Sequence, residues 1–460
     1  MTNRLKINGT RFLEDLDALR EFGKQGIGVV RPAFSAPDIA SRRWLAKKFE
    51  ACGLIPHWDP AANLFGLPPQ SGQPILIGSH SDTQPEGGWL DGAYGVILAL
   101  EVARSSQESG GPPVAVVSFQ DEESAFMPLT GSRYFSRHLN LDALYDLTNA
   151  AGQRYGDEAT ALPELQGVEP LETNYFSHFL EAHIEQGPVL DLANETIGVV
   201  ETIVGSRQFE VVIEGQQNHA GTTPMSLRRD AVTGFAAFVA ALEQRYTAAA
   251  TPRSVWTIGR VQVHPNAPSI VPGSVSCSVQ MRDGAFSQLD LMCEITRDTA
   301  QEIAEARNLK ISLAQNKSVE PVDMDERVIS AFCEAANLNA PGRWRRMPSG
   351  ALHDAMNLAD HMPTGMLFVP SIGGVSHAFE EDTRSLGRPG HNLTCCRRWF
   401  CSRRCARCAR NWPRKRRCRP MSSSTIRRCA RWPVRGLPHS PRWAISPASG
   451  RRNSRPMASA

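Results

Sequence analysis

Two short, nearly unbroken apolar runs constrain this chain more than anything else in it: Pro74-Ile75-Leu76-Ile77 and Val114-Ala115-Val116-Val117-Ser118-Phe119. A strand that reads as a continuous apolar run, not as an alternation, is covered on both faces, which is the condition of a parallel sheet between helices. Polar groups able to do chemistry follow each run at once. Gly78 ends the first, with His80 and Asp82 just past it, and Asp121, Glu122 and Glu123 follow the second. Open α/β sheets keep their sites beyond the carboxyl ends of their strands, so two strands are expected to deliver such residues to one edge. Eleven residues after His80 comes Asp91, at the start of a helix expected over 92–105.

At 460 residues, 41% hydrophobic and 21% charged, the chain has material for two domains with cores of their own. It holds no apolar stretch near the roughly 18 residues of a membrane span, and the N-terminus lacks the apolar segment of a secretory signal. A cytoplasmic protein with no membrane partner is expected. Charge is unevenly spread: of 50 Lys+Arg, 21 lie from Thr383 onward, where there is no Asp or Glu at all. Cysteine divides the same way, with Cys52, Cys277, Cys293 and Cys333 scattered through the body and seven of the eleven between Cys395 and Cys429. Four unpatterned body cysteines suit a reducing compartment and suggest no disulfide framework.

Amphipathic helices are expected over 11–22 and 40–51, the second stopped by Gly53. Residues 139–174, polar and broken by Gly and Pro, read as an excursion and not as core. Near Gly205 the pattern changes to strand 209–213, helix 229–246, strand 255–263, the alternating Val275, Cys277, Val279 and Met281, helix 289–306 and strand 309–313. That βαββαβ order is a ferredoxin-like sandwich inserted as one unit. The α/β pattern then resumes with helices over 326–338 and 351–360, a strand over 366–369, and His377 just past it.

His80, Asp91, Glu123, His183 and His377 make five potential ligands, imidazoles and carboxylates with no thiol among them. Such a set suits Zn²⁺, with Mn²⁺, Co²⁺ or Ni²⁺ as alternatives. Five ligands with one bridging carboxylate suffice for two cations about 3.5 Å apart. Neighbouring side chains on a strand or turn point in different directions, so Glu123 can bind metal while Glu122 faces the attacking water as general base. Taken singly the residues have plainer readings: His183 as a core imidazole, His80 and Asp91 as caps, His219 as a turn residue, Arg282 as a surface charge.

Several segments in order, SHSDTQPEGGWLDGAYGV, DEES…GSR, EAHIEQGPVL, NHAGTTPM, SGALHDA and GGVSHAFEED, resemble the M20-type metallohydrolases over roughly residues 10–382. Within them the chain is similar to the amidase branch of N-carbamoyl-L-amino acid hydrolases and allantoate amidohydrolases. The resemblance implies an α/β fold: a zinc-hydrolase-type catalytic domain with a mixed or parallel sheet (1–205 and 321–382), interrupted by a ferredoxin-like α+β lid and dimerisation domain (206–320). It implies that Asp91 bridges two metal ions, one also held by His80 and His183, the other by Glu123 and His377, with Glu122 as general base. His219 is then the residue that stabilises the oxyanion, Arg282 the clamp for the substrate carboxylate, and Gln186, Ser269 and Gly350 further substrate contacts. The implied reaction is hydrolysis of an N-carbamoyl-L-amino acid by a homodimer; allantoate or ureidoglycolate is the alternative substrate. Departures fall at Ser269, where the branch has Asn, and at Leu352 and Ser124, where it has Gly.

From about Thr383 the text leaves the family pattern, which continues with a final amphipathic helix. Cys401, Cys405 and Cys408 suggest a zinc knuckle, and Arg414-Lys415-Arg416-Arg417 a nucleic-acid contact, but histidine ligands and aromatic platforms at fixed spacing are absent. Nucleic acid is therefore not expected as a partner, and an inactive homologue with a nucleic-acid-binding tail is the contrasting reading. The Arg, Pro, Cys and Trp bias of 383–460, with no acidic residue, matches out-of-frame translation of a GC-rich gene.

Overall fold

The computed structural model describes residues 5–69 and 72–384, so the expectations for the tail beyond Arg384 lie outside the described residues. A nine-stranded mixed sheet carries the order Val322–Asp323, Ile197–Ile203, Thr364–Val369, His178–Ile184, Ile75–His80, Val114–Phe119, Leu64–Leu67, Ile55–Trp58, with Trp344–Ser349 also paired to Ile197–Ile203. The four strands from Thr364–Val369 to Val114–Phe119 are mutually parallel. Antiparallel strands flank them on both sides. Consecutive residues of the apolar runs feed cores on opposite faces, as the two-residue period of a strand requires. Leu76, Ala115, Val117 and Phe119 join Phe65, Phe179 and Phe368 on one side; Ile77, Val114 and Val116 join Leu45, Val96, Ile97 and Leu100 on the other.

The first strand does not stop at Gly78. It runs to His80, with Gly78 opposite Val117 and His80 opposite Phe119. A Cβ on Gly78 would lie 2.0 Å from the Val117 carbonyl oxygen, so glycine there permits close pairing and does not end the strand. Helix Ala36–Ala51 begins four residues earlier than the sequence reading, because the Ser35 side chain accepts the Asp38 N–H as N-cap and a proline stands in the first turn. The helix expected over 351–360 shrinks to Ala355–Leu358. Its start is deferred by the Ser349 hydroxyl, which bonds both the N–H and the carbonyl of Ala351. Residues 139–174 are more than an excursion: Leu144, Tyr155, Ala159 and Leu162 form a small core with Ala33, Phe34, Ala61 and Ala62.

A second sheet has the antiparallel order Val255–His264, Ser274–Asp283, Gly205–Glu214, Lys310–Val319. Its alternating residues Phe209, Val211, Ile213, Cys277 and Val279 pack against Phe238, Leu242, Leu289 and Met292 of helices Ala231–Ala249 and Phe286–Arg307. The βαββαβ order read from the sequence is present. The fold is thus mixed α/β. Among the described residues no helix is long and apolar enough to cross a membrane.

Candidate metal centre

All four parallel strands end at one edge, and each contributes to one cluster there. His80 is the last residue of its strand and His183 the last but one of His178–Ile184. Glu122 and Glu123 follow Val114–Phe119, where the buried Arg42 donates to the carbonyls of Ser118 (3.1 Å) and Phe119 (2.6 Å). His377 follows Thr364–Val369. Asp91 enters from the turn before helix Ala93–Ser109. That turn needs glycine at 92: its φ is +63°, and a Cβ would meet the His80 ring at 2.4 Å.

Asp91 is the meeting point. Its Oδ1 lies 3.0 Å from His183 Nε2 and 3.6 Å from His80 Nε2; its Oδ2 lies 3.3 Å from His377 Nε2. His377 Nε2 is also 3.6 Å from Glu123 Oε2. The five candidate ligands therefore fall into two groups, His80–Asp91–His183 and Asp91–Glu123–His377, with Asp91 common to both; a third cluster, Glu181–His183–His353, shares His183. The Nδ1 atoms of His80 and His183 sit 3.1 Å and 2.9 Å from the carbonyls of Asp82 and Ile184. An Nδ1–H donated to a carbonyl leaves Nε2 with its lone pair turned to the cluster, the tautomer a metal takes. Glu122 Oε2 stands 3.6 Å from His80 Nε2.

The charges are unbalanced for a buried place. Burial opposes ionisation of Asp91, but hydrogen bonds from His183, His377 and His80 hold its carboxyl well below the usual range. Burial pushes Glu122 well up, with the negative charge of Glu123 adding to it. Glu123 is pushed up to about 7 by burial and Asp91, and the hydrogen bond to Asp91 raises His377 to about 9. Glu123 Oε1 is buried without a hydrogen-bond partner among the described residues. Crowded carboxylates, oriented imidazoles and an orphaned oxygen are what a divalent cation would satisfy, so the residues fit a metal site.

The structure brings Gln186 into the same cluster: its Nε2 donates to Asp91 Oδ2 at 2.9 Å and lies 3.3 Å from His377 Nε2. Arg282 and Gly350 meet, one guanidinium N–H donating to the Gly350 carbonyl at 3.0 Å. His219 and Ser269 form a second pair, since Asn218–His219 pairs with Ile270–Val271 and the Ala220 N–H donates to the Ser269 carbonyl. No hydrogen bond or ion pair among the described residues joins His219 or Ser269 to the five ligands. The sequence reading missed several supports. Gln84 Nε2 holds Glu123 Oε2 at 2.7 Å; Glu381 Oε1 accepts the N–H groups of Leu90 and Asp91; the buried His353 packs on the His183 ring at 4.5 Å. Glu181, bonded to the Ser79 hydroxyl and the Ala355 N–H, was the findable one, two residues before His183 on the same strand face.

Residues 76–387 match the model of the peptidase family M20/M25/M40. This chain belongs to the M20 family. It is 32% identical over 383 residues to the allantoate amidohydrolase of Escherichia coli K12, covering 80% of this chain and 92% of that one. It is 33% identical to the N-carbamoyl-L-amino acid amidohydrolase of Geobacillus stearothermophilus, covering 82% and 94%. A crystal structure of a hydantoinase/carbamoylase family amidase from Burkholderia phymatum superposes with a TM-score of 0.78 at 40% identity, covering 82% of this chain and 93% of that chain. M20 hydrolases are metal-dependent, and this member is a hydrolase of amide-type C–N bonds.

Proposed function

We propose that this M20 hydrolase cleaves the ureido group of N-carbamoyl-L-amino acids, giving the amino acid, CO₂ and ammonia. The observation that carries the reading is Asp91, shared by two ligand groups, with Glu122 beside them, its Oε2 3.6 Å from His80 Nε2. His80, Asp91 and His183 would hold one divalent cation and Asp91, Glu123 and His377 a second, Zn²⁺ being the first choice for such donors. Bound there, the cations would polarise the scissile carbonyl and make water acidic enough to attack at neutral pH.

The chain's own groups supply the rest. Glu122, as its carboxylate, takes a proton from the attacking water and passes it to the departing amine nitrogen; burial, which raises its affinity for the proton, makes it the stronger base. Arg282 offers the fork that a substrate carboxylate needs, and Gly350 borders the same spot. The Nδ1 of His219 accepts the N–H groups of Gly221 (3.0 Å) and Thr222 (3.1 Å). That fixes the proton on Nε2, a donor suited to a developing oxyanion. Residues 206–320 act as a separate domain that closes over the site and carries the homodimer contact. In support, the chain enters this region at Gly205 and leaves it at Val319, on neighbouring strands. Allantoate or ureidoglycolate hydrolysis is the second reading, favoured by the relative named for allantoate.

Ammonia release from a panel of N-carbamoyl-L-amino acids, allantoate and ureidoglycolate, after loading with Zn²⁺, Mn²⁺ or Co²⁺, tests the proposal. Activity on a carbamoyl amino acid is expected, lost on chelation and lowered about 10²- to 10⁴-fold in Glu122→Gln. Folded, metal-loaded protein inert toward every member of the panel refutes it.

A further inference from the structure

Beyond the ligands, one fully buried cation governs the segment that joins the two ligand groups. Arg31, 0% exposed, follows the short strand Gly28–Val29. Its Nε donates to the Ser81 carbonyl at 2.7 Å, and its Nη1 donates to the carbonyls of Leu19 (2.9 Å) and Phe22 (2.7 Å), where helix Gly9–Arg20 ends. Its backbone N–H donates to Thr83 Oγ1 at 2.8 Å, and its carbonyl accepts the Thr83 N–H at 3.0 Å. Arg31 therefore holds both chain neighbours of Asp82. Asp82 in turn holds one member of each ligand group: its carbonyl faces His80 Nδ1 at 3.1 Å, and its Oδ2 accepts the Glu123 N–H at 3.1 Å.

We propose that Arg31 is a positioning residue for the metal centre, setting Ser81 and Thr83 so that Asp82 presents His80 and Glu123 at ligating distance from Asp91. Its bonds to three carbonyls support the fold, yet a buried cation is a costly way to make them. The guanidinium forms no ion pair among the described residues, its Nη2 is buried without a partner, and burial pulls its pKa down to about 10. An apolar side chain would fill the same space without that desolvation cost but would leave three carbonyls without their donor. What an apolar residue lacks is a planar fork that reaches a helix end and the Ser81 carbonyl together, and lysine lacks it too.

The inference rests on the proposed metal centre, and its test separates the two. Co²⁺ is titrated calorimetrically into metal-free wild type, Arg31→Lys and Thr83→Val, with near-ultraviolet circular dichroism to establish the fold of each. Thr83→Val keeps shape and leaves the buried charge in place, so it carries the test without the hazard of a core arginine change. Wild type is expected to take up two equivalents. The variants are expected to bind about ten- to a hundredfold more weakly, as for other residues that orient ligands, with kcat lowered at limiting metal, recovered in excess metal, and KM unchanged. A merely structural residue would lower the melting temperature and leave metal affinity alone. Folded variants with wild-type affinity overturn the role of Arg31 only; wild type that takes up no metal overturns the metal centre and this role with it.

Discussion

Ser124 sits at φ +68°, in the left-handed region that costs a residue with a Cβ about 1–2 kcal/mol and costs glycine nothing. It follows Glu123 directly, and Asp121 (+56°), Gln186 (+56°) and His377 (+52°) share the same strained conformation around the same cluster. Backbone strain gathered at one place is the mark of a site held in shape by its surroundings. Ser124→Gly is expected to stabilise the protein by about 1 kcal/mol in urea unfolding, with the glutamates left in place. Gly92→Ala should do the reverse for binding. Its new methyl would displace the His80 ring, and calorimetry should find metal uptake reduced by at least one equivalent while circular dichroism stays native.

At the scale of elements, helix Glu326–Asn339 shows how a start is fixed. The Asp325 carboxylate accepts the N–H groups of Arg327 (2.9 Å) and Val328 (3.3 Å), and the Arg327 side chain pairs with it. Hydrogen bonds from Arg327 lower its pKa to about 2. A carboxylate lowered on folding stabilises above its unfolded pKa and loses that contribution as pH falls through the folded value. Asp325→Ala should therefore cost about 1 kcal/mol at pH 7, and the gap to wild type should close between about pH 4 and pH 2, as followed by thermal melts. The elements legible in the sequence were those whose own residues decide them: the central strands, apolar on both faces, and the helices of the second sheet with their long apolar stripes. Strand Trp344–Ser349 was hidden because Arg345, Arg346 and Pro348 break any pattern, the proline falling where the register shifts between Met347 and Ser349. The residues that the structure gathers around Asp91 were readable from their motifs. Gln84, Glu381 and Arg31 were not, since each acts through hydrogen bonds between segments distant in the chain, which leave no period in the text.

For the molecule as a whole, two polar links among the described residues tie the second sheet to the region of the first. One is Arg282 on the Gly350 carbonyl; the other is Arg253 on Glu201 (3.0 Å), a carboxylate that also holds Arg346 (2.8 Å). Arg282→Lys keeps the charge but loses the fork. We expect KM to rise about ten- to a hundredfold, the worth of one charge-assisted hydrogen bond, with kcat much less affected, in steady-state assays on the preferred ureido acid. Strand Thr364–Val369 has a consequence of another kind. Among the described residues it is the last strand made, yet it lies between Ile197–Ile203 and His178–Ile184, inside the sheet and not at its rim. During synthesis those two older strands wait with bare edges, sticky to any stray strand, until the final one slots between them. The same late event carries His377 to Asp91, so one step of synthesis brings the candidate metal centre together and covers two open strand edges.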